Sequence, residues 1–316
     1  MLKKYYLQIL IILLLIAIAW VLLLIEKNNQ PMQANLNQTQ GDKIISQLPI
    51  ANNIENSFLP IRNWAINEPE ISAKSAIVLN FKNDKKNSIL YQKNTGKILP
   101  VASLTKLMTA IVVIENYDSE QIIKVSENSV LIDGNSGGLI AEEELKIKDL
   151  LYIMLVESSN DAAMSLAQDN PKMSYENFIT LMNDKAKELG LFNTTFKEPV
   201  GLDSYNQSTV SEIAVIAEYA FNSPLLAEIL KTSEATVYSI NKNIIHKITN
   251  TNKLLGKIPQ LIGGKTGYTE EAGGCLMTIS NIIDNNYLIT VILGSTQREN
   301  DTEKLIDWAQ TAWIWQ

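Results

Sequence analysis

Two β-rich stretches stand at opposite ends of this sequence, and nearly everything between them reads as helix. Ser75–Asn80 (SAIVLN) and Ile89–Gln92 (ILYQ) are short runs of β-formers joined by the polar turn FKNDKKNS. Leu276–Ser280 and Tyr287–Leu293 (YLITVIL) repeat the pattern near the C-terminus, across the turn IIDNN. In Ser103–Asn116, Leu107, Met108, Ile111, Val112 and Ile114 give the broad apolar face of a helix. Lys148–Val156, Asn160–Gln168, Tyr175–Leu189 and Val210–Phe221 read as four more, the third of them running into Gly190, a C-terminal stop signal. Asp301–Trp313 closes the chain as a helix. Strands first, helices in the middle, then strands and a helix again is an α+β order, and it requires the two ends of the domain to share one sheet.

Ahead of this domain lies a different kind of segment. Ile9–Ile25 contains no charged residue, and Tyr5, Tyr6 and Leu7 extend it with only Gln8 between. The run covers roughly 20 residues, about one bilayer crossing. Lys3 and Lys4 precede it, which puts residues 1–4 in the cytoplasm and the rest of the chain outside. A cleaved signal has a shorter apolar core and a small-x-small site; EKNNQPMQAN offers none, so residues 5–25 read as a retained transmembrane anchor. Residues 26–57, rich in Asn and Gln, form a flexible tether whose span is about 30 Å as a random coil. Bulky apolar residues and prolines return at 58–71, so the folded domain is 58–316.

Bulk counts exclude several chemistries. One cysteine, Cys275, allows neither an intrachain disulfide nor a cysteine-based zinc site. A net charge of −7 argues against nucleic acid as a partner. The single histidine, His246, sits in NKNIIHKITN with no acidic neighbour and reads as a structural or surface residue. A serine hydrolase built on this chain must therefore find its base elsewhere.

VASLTKLMTA supplies a candidate. Ser103 and Lys106 are three residues apart, which on a helix puts both side chains on one face. A serine hydroxyl needs a base to remove its proton, and lysine serves only when neutral. Bringing its pKa from about 10.4 to 7 means a shift of ~3 units, roughly 4 kcal/mol, which burial and a second cation both favour. Alone, S-x-x-K is a common helix start. Two further elements change its weight: Ser158-Ser159-Asn160 in ESSNDAA, directly after an apolar helix, and Lys265-Thr266-Gly267 in GGKTGYT, just before the C-terminal strand pair. S-x-x-K, S-x-N and K-T-G in that order are the three-part signature of penicillin-recognising serine enzymes.

The stretches SAIVLN, ILPVASLTKLMTAIVVIEN, LKIKDLLYIMLVESSNDAA, LMNDKAKELGLFNTTFKEPVGLD, GGKTGYTEEAGGCL and TEKLIDW resemble the D-alanyl-D-alanine carboxypeptidases, low-molecular-mass penicillin-binding proteins, from about Pro60 onward. The resemblance implies a β-lactamase/transpeptidase-like fold, an antiparallel sheet flanked by helices with a mainly helical subdomain. It implies that Ser103 attacks the terminal D-Ala–D-Ala bond of peptidoglycan stem peptides with Lys106 as base, and that β-lactams acylate the same serine. Ser158 then relays the proton to the leaving D-alanine, and Asn160 holds Lys106 and the substrate backbone. Lys265 and Thr266 recognise the substrate carboxylate, Lys265 helps keep Lys106 neutral, and Gly267 lets the substrate approach the strand. The N–H groups of Ser103 and Tyr268 form the oxyanion hole, and Arg298 binds the terminal carboxylate through its two-pronged fork. No cofactor or metal is implied. Asp161 reads as a helix cap, Cys275 as a packed thiol, and Trp308, Trp313 and Trp315 as the packing of the end helix on the sheet.

Three rivals stand beside the carboxypeptidase. A D,D-endopeptidase cutting cross-links shares all three motifs. A class A β-lactamase needs a glutamate in an E-x-x-L-N type segment after S-x-N, and none is present. A non-catalytic β-lactam sensor or cell-wall binding protein needs the same anchor and fold, but the intact Ser103, Lys106 and Lys265 and the short inner segment MLKK count against it. Many members of this family add a C-terminal β domain and an anchoring helix; here the last residue, Gln316, follows the closing helix, so the expected tether is N-terminal.

Overall fold

The computed structural model describes residues 60–81, 87–282 and 286–315; the predicted inner segment, span and tether lie outside them. Among the described residues no single helix is long and apolar enough to cross a membrane. A short strand β1 (Ile61–Arg62) opens the domain, followed by β2 (Ser75–Phe81) and β3 (Ser88–Lys93). Near the other end come β10 (Leu261–Thr269), β11 (Gly273–Asn281), β12 (Tyr287–Ser295) and β13 (Trp313–Ile314). The sheet runs β10-β11-β12-β2-β3, antiparallel throughout, with the chain ends meeting at Val291↔Ile77 and Ile289↔Leu79. β1 pairs with β13 and ties the entrance of the domain to its exit.

Alternation along the strands explains the layers. Ile77, Ile279, Ile289 and Val291 face the helical side and join the larger apolar cluster. Ala76, Val78, Leu276, Leu288 and Ile292 face the other way, onto Leu305, Ile306, Trp308 and Ala309 of the closing helix. That helix, α8, spans Arg298–Thr311 rather than the expected 301–313. Asp301 lies inside its first turn, where its buried carboxylate accepts from Ser72 Oγ at 2.7 Å, Ala73 N at 2.9 Å and Ser295 Oγ at 2.7 Å. Trp308 remains on the helix, while Trp313 leaves it to pair in β13.

The helical part contains α1 (Thr105–Asn116), α2 (Glu127–Val130), α3 (Ile147–Val156), α4 (Asn160–Gln168), α5 (Tyr175–Glu188), α6 (Val210–Phe221) and α7 (Pro224–Lys231). Every residue of α1 from Thr105 to Val113 is buried, so this helix, apolar nearly all round, forms the centre of the helical layer. Side-chain caps start α4, α5 and α6: Ser159 accepts from Ala162 N at 3.0 Å, Ser174 from Asn177 N and Thr209 from Glu212 N, each at 3.2 Å. Three small two-stranded pairs trim the edges: β4 (Leu99–Pro100) with β7 (Gln207–Ser208), β5 (Ile122–Lys124) with β6 (Glu144–Lys146), and β8 (Glu234–Tyr238) with β9 (Ile245–Thr249). The sequence showed neither α7 nor these pairs as separate elements; each is too short for periodicity to reveal.

Lys265-Thr266-Gly267 precedes the expected strand pair, β11 and β12, as read, but itself lies within a further strand, β10, at the edge of the sheet. Its glycines and polar residues hide a strand whose outer edge faces the helical layer instead of another strand.

Candidate active site

Ser103 belongs to a 3-10 turn, Ala102–Leu104, that precedes α1; it is not a residue of the helix itself. Ala102 is held at φ +48°, a left-handed conformation unusual for a residue with a side chain. Thr105 Oγ1 donates to its carbonyl at 2.8 Å and Val101 N to Asn206 O at 3.0 Å. Two glycines press on this turn. A Cβ on Gly201, itself at φ +99°, would collide with the Ala102 carbonyl and lie 2.8 Å from Ser103 N. A Cβ on Gly267 would lie 2.9 Å from Ser103 N. The closeness that Gly267 permits is thus between β10 and the serine's own turn, not only between β10 and a substrate.

Lys106 is wholly buried, at 0% exposure. Its Nζ contacts Ser103 Oγ at 2.9 Å, Asn160 Oδ1 at 2.9 Å and the Val200 carbonyl at 2.8 Å. Burial lowers its pKa to about 7, against the upward pull of Glu198 and Asp161. A neutral amine has two hydrogens and one lone pair. Two of the three neighbours, the Asn160 and Val200 oxygens, can only accept, so they take both hydrogens. The lone pair then faces Ser103 Oγ–H. Buried this way, the pair can draw a proton from the hydroxyl at neutral pH.

Lys265, at 1% exposure, donates to Ser158 Oγ at 2.7 Å and to the Thr266 carbonyl at 2.9 Å. Burial, and after it the charges of Lys106 and Arg298, hold its pKa well below the ordinary lysine range. For Lys106 burial is the largest cause. Ser158 sits at φ +66°, which turns its hydroxyl towards Lys265. The two serine–lysine pairs, Ser103 with Lys106 and Ser158 with Lys265, thus stand between α1, the start of α4 and β10, with both lysines buried and Ser103 half-buried.

Asn160 is fixed on its far side by a loop that the sequence did not single out. Its N–H donates to Asn135 O at 2.7 Å and its Nδ2 to Asp133 O at 2.6 Å, which orients Oδ1 towards Lys106. Asp161 secures the same loop, accepting from Ser136 Oγ at 2.7 Å, Gly137 N at 2.9 Å and Leu139 N at 3.2 Å. The cap of α4 is Ser159, so the expected capping role of Asp161 is secondary to loop binding. His246 also has an acidic partner: its Nε2 lies 2.7 Å from Glu143 Oε1, and its Nδ1 3.2 Å from Gly137 O. The histidine is structural, as expected, but buried and paired with a residue far away in sequence.

The remaining candidates line the β10 side. Thr266 is buried and shares a 2.6 Å hydrogen bond with Thr251 Oγ1. Tyr268 exposes its ring at the rim. Arg298 donates to the Gly267 carbonyl at 2.7 Å and to Glu299 Oε1 at 3.0 Å, and a cavity of about 570 Å³ opens beside it, lined among others by Lys74, Tyr268, Glu270 and Gly294. Cys275 is buried, and burial raises its thiol to about 11. Among the described residues no group of three or more His, Cys, Asp or Glu side chains could hold a metal.

Fold and site together define a penicillin-recognising serine-enzyme architecture, and comparison with known proteins narrows the family. Residues 63–297 match the peptidase S11 family, described as D-alanyl-D-alanine carboxypeptidase. D-alanyl-D-alanine carboxypeptidase DacF of Bacillus subtilis is 34% identical over 75% of this chain and 62% of its own length. A D-alanyl-D-alanine endopeptidase of Pseudomonas aeruginosa is 33% identical over 78% of this chain and 80% of its own. The crystal structure of the Streptomyces K15 DD-transpeptidase superposes with a TM-score of 0.71 at 28% identity, covering 77% of this chain and 99% of that one. The chain belongs to the D-alanyl-D-alanine carboxypeptidase family.

Proposed function

We propose that the protein is a serine-type D-Ala-D-Ala carboxypeptidase that removes the terminal D-alanine of peptidoglycan stem peptides. The carrying observation is the Lys106 amine, buried, near neutrality, and hydrogen-bonded so that its free direction is Ser103 Oγ. Lys106 takes the hydroxyl proton as Ser103 attacks the scissile carbonyl. The carbonyl oxygen becomes an oxyanion met by the backbone N–H groups of Ser103 and Tyr268. The proton passes through Ser158, which Lys265 orients, to the departing amine of D-alanine, leaving an acyl-Ser103 ester that water hydrolyses. Thr266, Lys265 and Arg298 receive the substrate's terminal carboxylate, and a β-lactam acylates the same serine by ring opening, its protonated amine staying attached to the acyl group. The apolar run 5–25 anchors the chain in the bacterial cell membrane, N-terminus inside, and the tether 26–57 holds the catalytic domain, 58–316, outside it.

The test is covalent labelling of the full-length protein by a fluorescent penicillin. Ser103→Ala should abolish labelling, and a labelled Ser103→Ala protein would overturn the assignment. A second reading, D,D-endopeptidase, is favoured by the 33% identity to the D-alanyl-D-alanine endopeptidase of Pseudomonas aeruginosa. Incubation with a pentapeptide stem and with cross-linked dimers separates the two: free D-alanine marks the carboxypeptidase, loss of dimer the endopeptidase.

A further inference from the structure

Glu198 stands outside the three motifs, yet its carboxylate organises the wall behind Lys106. Oε2 accepts from Val200 N at 2.6 Å, and Oε1 accepts from Gly201 N at 2.6 Å, Leu202 N at 2.9 Å and Asn206 Nδ2 at 2.8 Å, with Asp203 N at 3.4 Å. Every partner is a donor, so the group is satisfied as an anion. The turn it gathers is the one that presents the Val200 carbonyl to Lys106 Nζ and sets Gly201 against the Ser103 backbone. Asn206, bound to the same carboxylate, also donates to Thr105 Oγ1 at 3.2 Å, at the start of α1. One side chain thereby fixes an acceptor of the amine and the backing of the serine's turn.

Its charge acts on the same group. Lys106 is faced by Asp161 from α4, Lys265 from β10 and Glu198 from the 198–206 loop; Lys265 repels its ammonium form, and the two carboxylates favour it. Asp161 is tied to its own loop by Ser136, Gly137 and Leu139. Glu198 is the anion with the larger influence on Lys106.

We propose that Glu198 is a positioning residue for Lys106: it directs the lone pair of the amine at Ser103 through the Val200 carbonyl, and its charge lets the amine keep the proton it removes until the leaving group takes it. This rests on the reading of Ser103 and Lys106 as nucleophile and base. Without the anion, the Lys106 amine stays neutral to lower pH but is a weaker base, which holds the proton it removes less well.

The experiment measures the second-order rate of acylation by a fluorescent penicillin against pH, on the full chain in detergent, with melting temperatures in parallel. Glu198→Gln keeps the shape and removes the charge; its acid limb should move down by about 1 pH unit, with a plateau about tenfold lower from the disturbed turn. Glu198→Asp keeps the charge on a shorter arm; its limb should stay where the unaltered protein has it, with a lowered plateau. The two variants answer separately, so Glu198→Asp decides alone if Glu198→Gln does not fold: an unmoved limb with a plateau lowered while the melting temperature holds supports the assignment, and a limb shifted down, an unchanged plateau, or a plateau loss that only follows the melting temperature overturns it. An identical limb in Glu198→Gln and the unaltered protein, with rate loss that merely follows melting temperature, assigns Glu198 to stability alone and also overturns it. Labelling of Ser103→Ala in the same series would instead indict the nucleophile assignment, so the two failures are distinguishable.

Discussion

Gly201→Ala offers a sharp test of how tightly the serine's turn is held. At φ +99° an alanine pays conformational strain of about 1–3 kcal/mol. Its new methyl also points at backbone, towards the Ala102 carbonyl and within 2.8 Å of Ser103 N, and backbone cannot rotate aside as a side chain can. Relief requires the 198–206 loop or the Ala102–Ser103 turn to shift, adding a further ~1–3 kcal/mol of overpacking. A total near 4 kcal/mol lowers the melting temperature by about 8–16 °C in a domain of this size. Displacing the hydroxyl by about 1 Å costs on the order of 100-fold in acylation. Gly190→Ala is the matched control: it too has a left-handed backbone, at φ +73°, but nothing lies within 4 Å of the added methyl. It should lose about 1 kcal/mol and acylate normally. The assay is stopped-flow acylation by a fluorescent penicillin beside a thermal melt. Wild-type acylation in Gly201→Ala, or equal rate losses in both variants, would refute the reasoning.

Three other outcomes are expected. Because Lys106 acts as a base only when neutral and its pKa is about 7, acylation should fall about tenfold per pH unit below that value and level off above it; a profile flat down to pH 5 would remove Lys106 from the proton transfer. Arg62 donates to Ala312 O at 3.1 Å and Ile66 O at 2.5 Å and lies 4.8 Å from the Trp308 ring centroid, so Arg62→Ala should cost about 2–4 kcal/mol of stability, with Arg62→Lys recovering only part, as read from denaturant melts. Cys275, buried and with its thiol raised to about 11, should resist a thiol-reactive chromogenic disulfide in the native protein and react in full on unfolding; fast native reaction would show that the β10–β11 edge opens.

What the sequence revealed and what it concealed divide along one physical line. Elements long enough to show a period were legible: α4 and α6 match their expected bounds, and the pairing of β2 with β12 follows from apolar runs at both chain ends. Local motifs were legible too, because Ser103 and Lys106 are three residues apart and their spacing carries their contact. The supports of those motifs were not. The partner of His246 is Glu143, the holders of Asn160 are Asp133 and Asn135, and the acceptor for Lys106 is a backbone carbonyl at Val200, all joined through space and by atoms every residue has or by common polar side chains. A backbone carbonyl leaves no mark in a sequence. Glu198 came nearest to a signal, since EPVGLD places a carboxylate just before a proline and a glycine, a combination that favours a turn around an anion. The consequence for reading such chains is directional: the three motifs say which atoms meet, whereas the neutrality of Lys106 depends on depth, set against the upward pull of carboxylates outside the motifs. A chain with all three motifs but without that buried wall would keep the signature and lose the base.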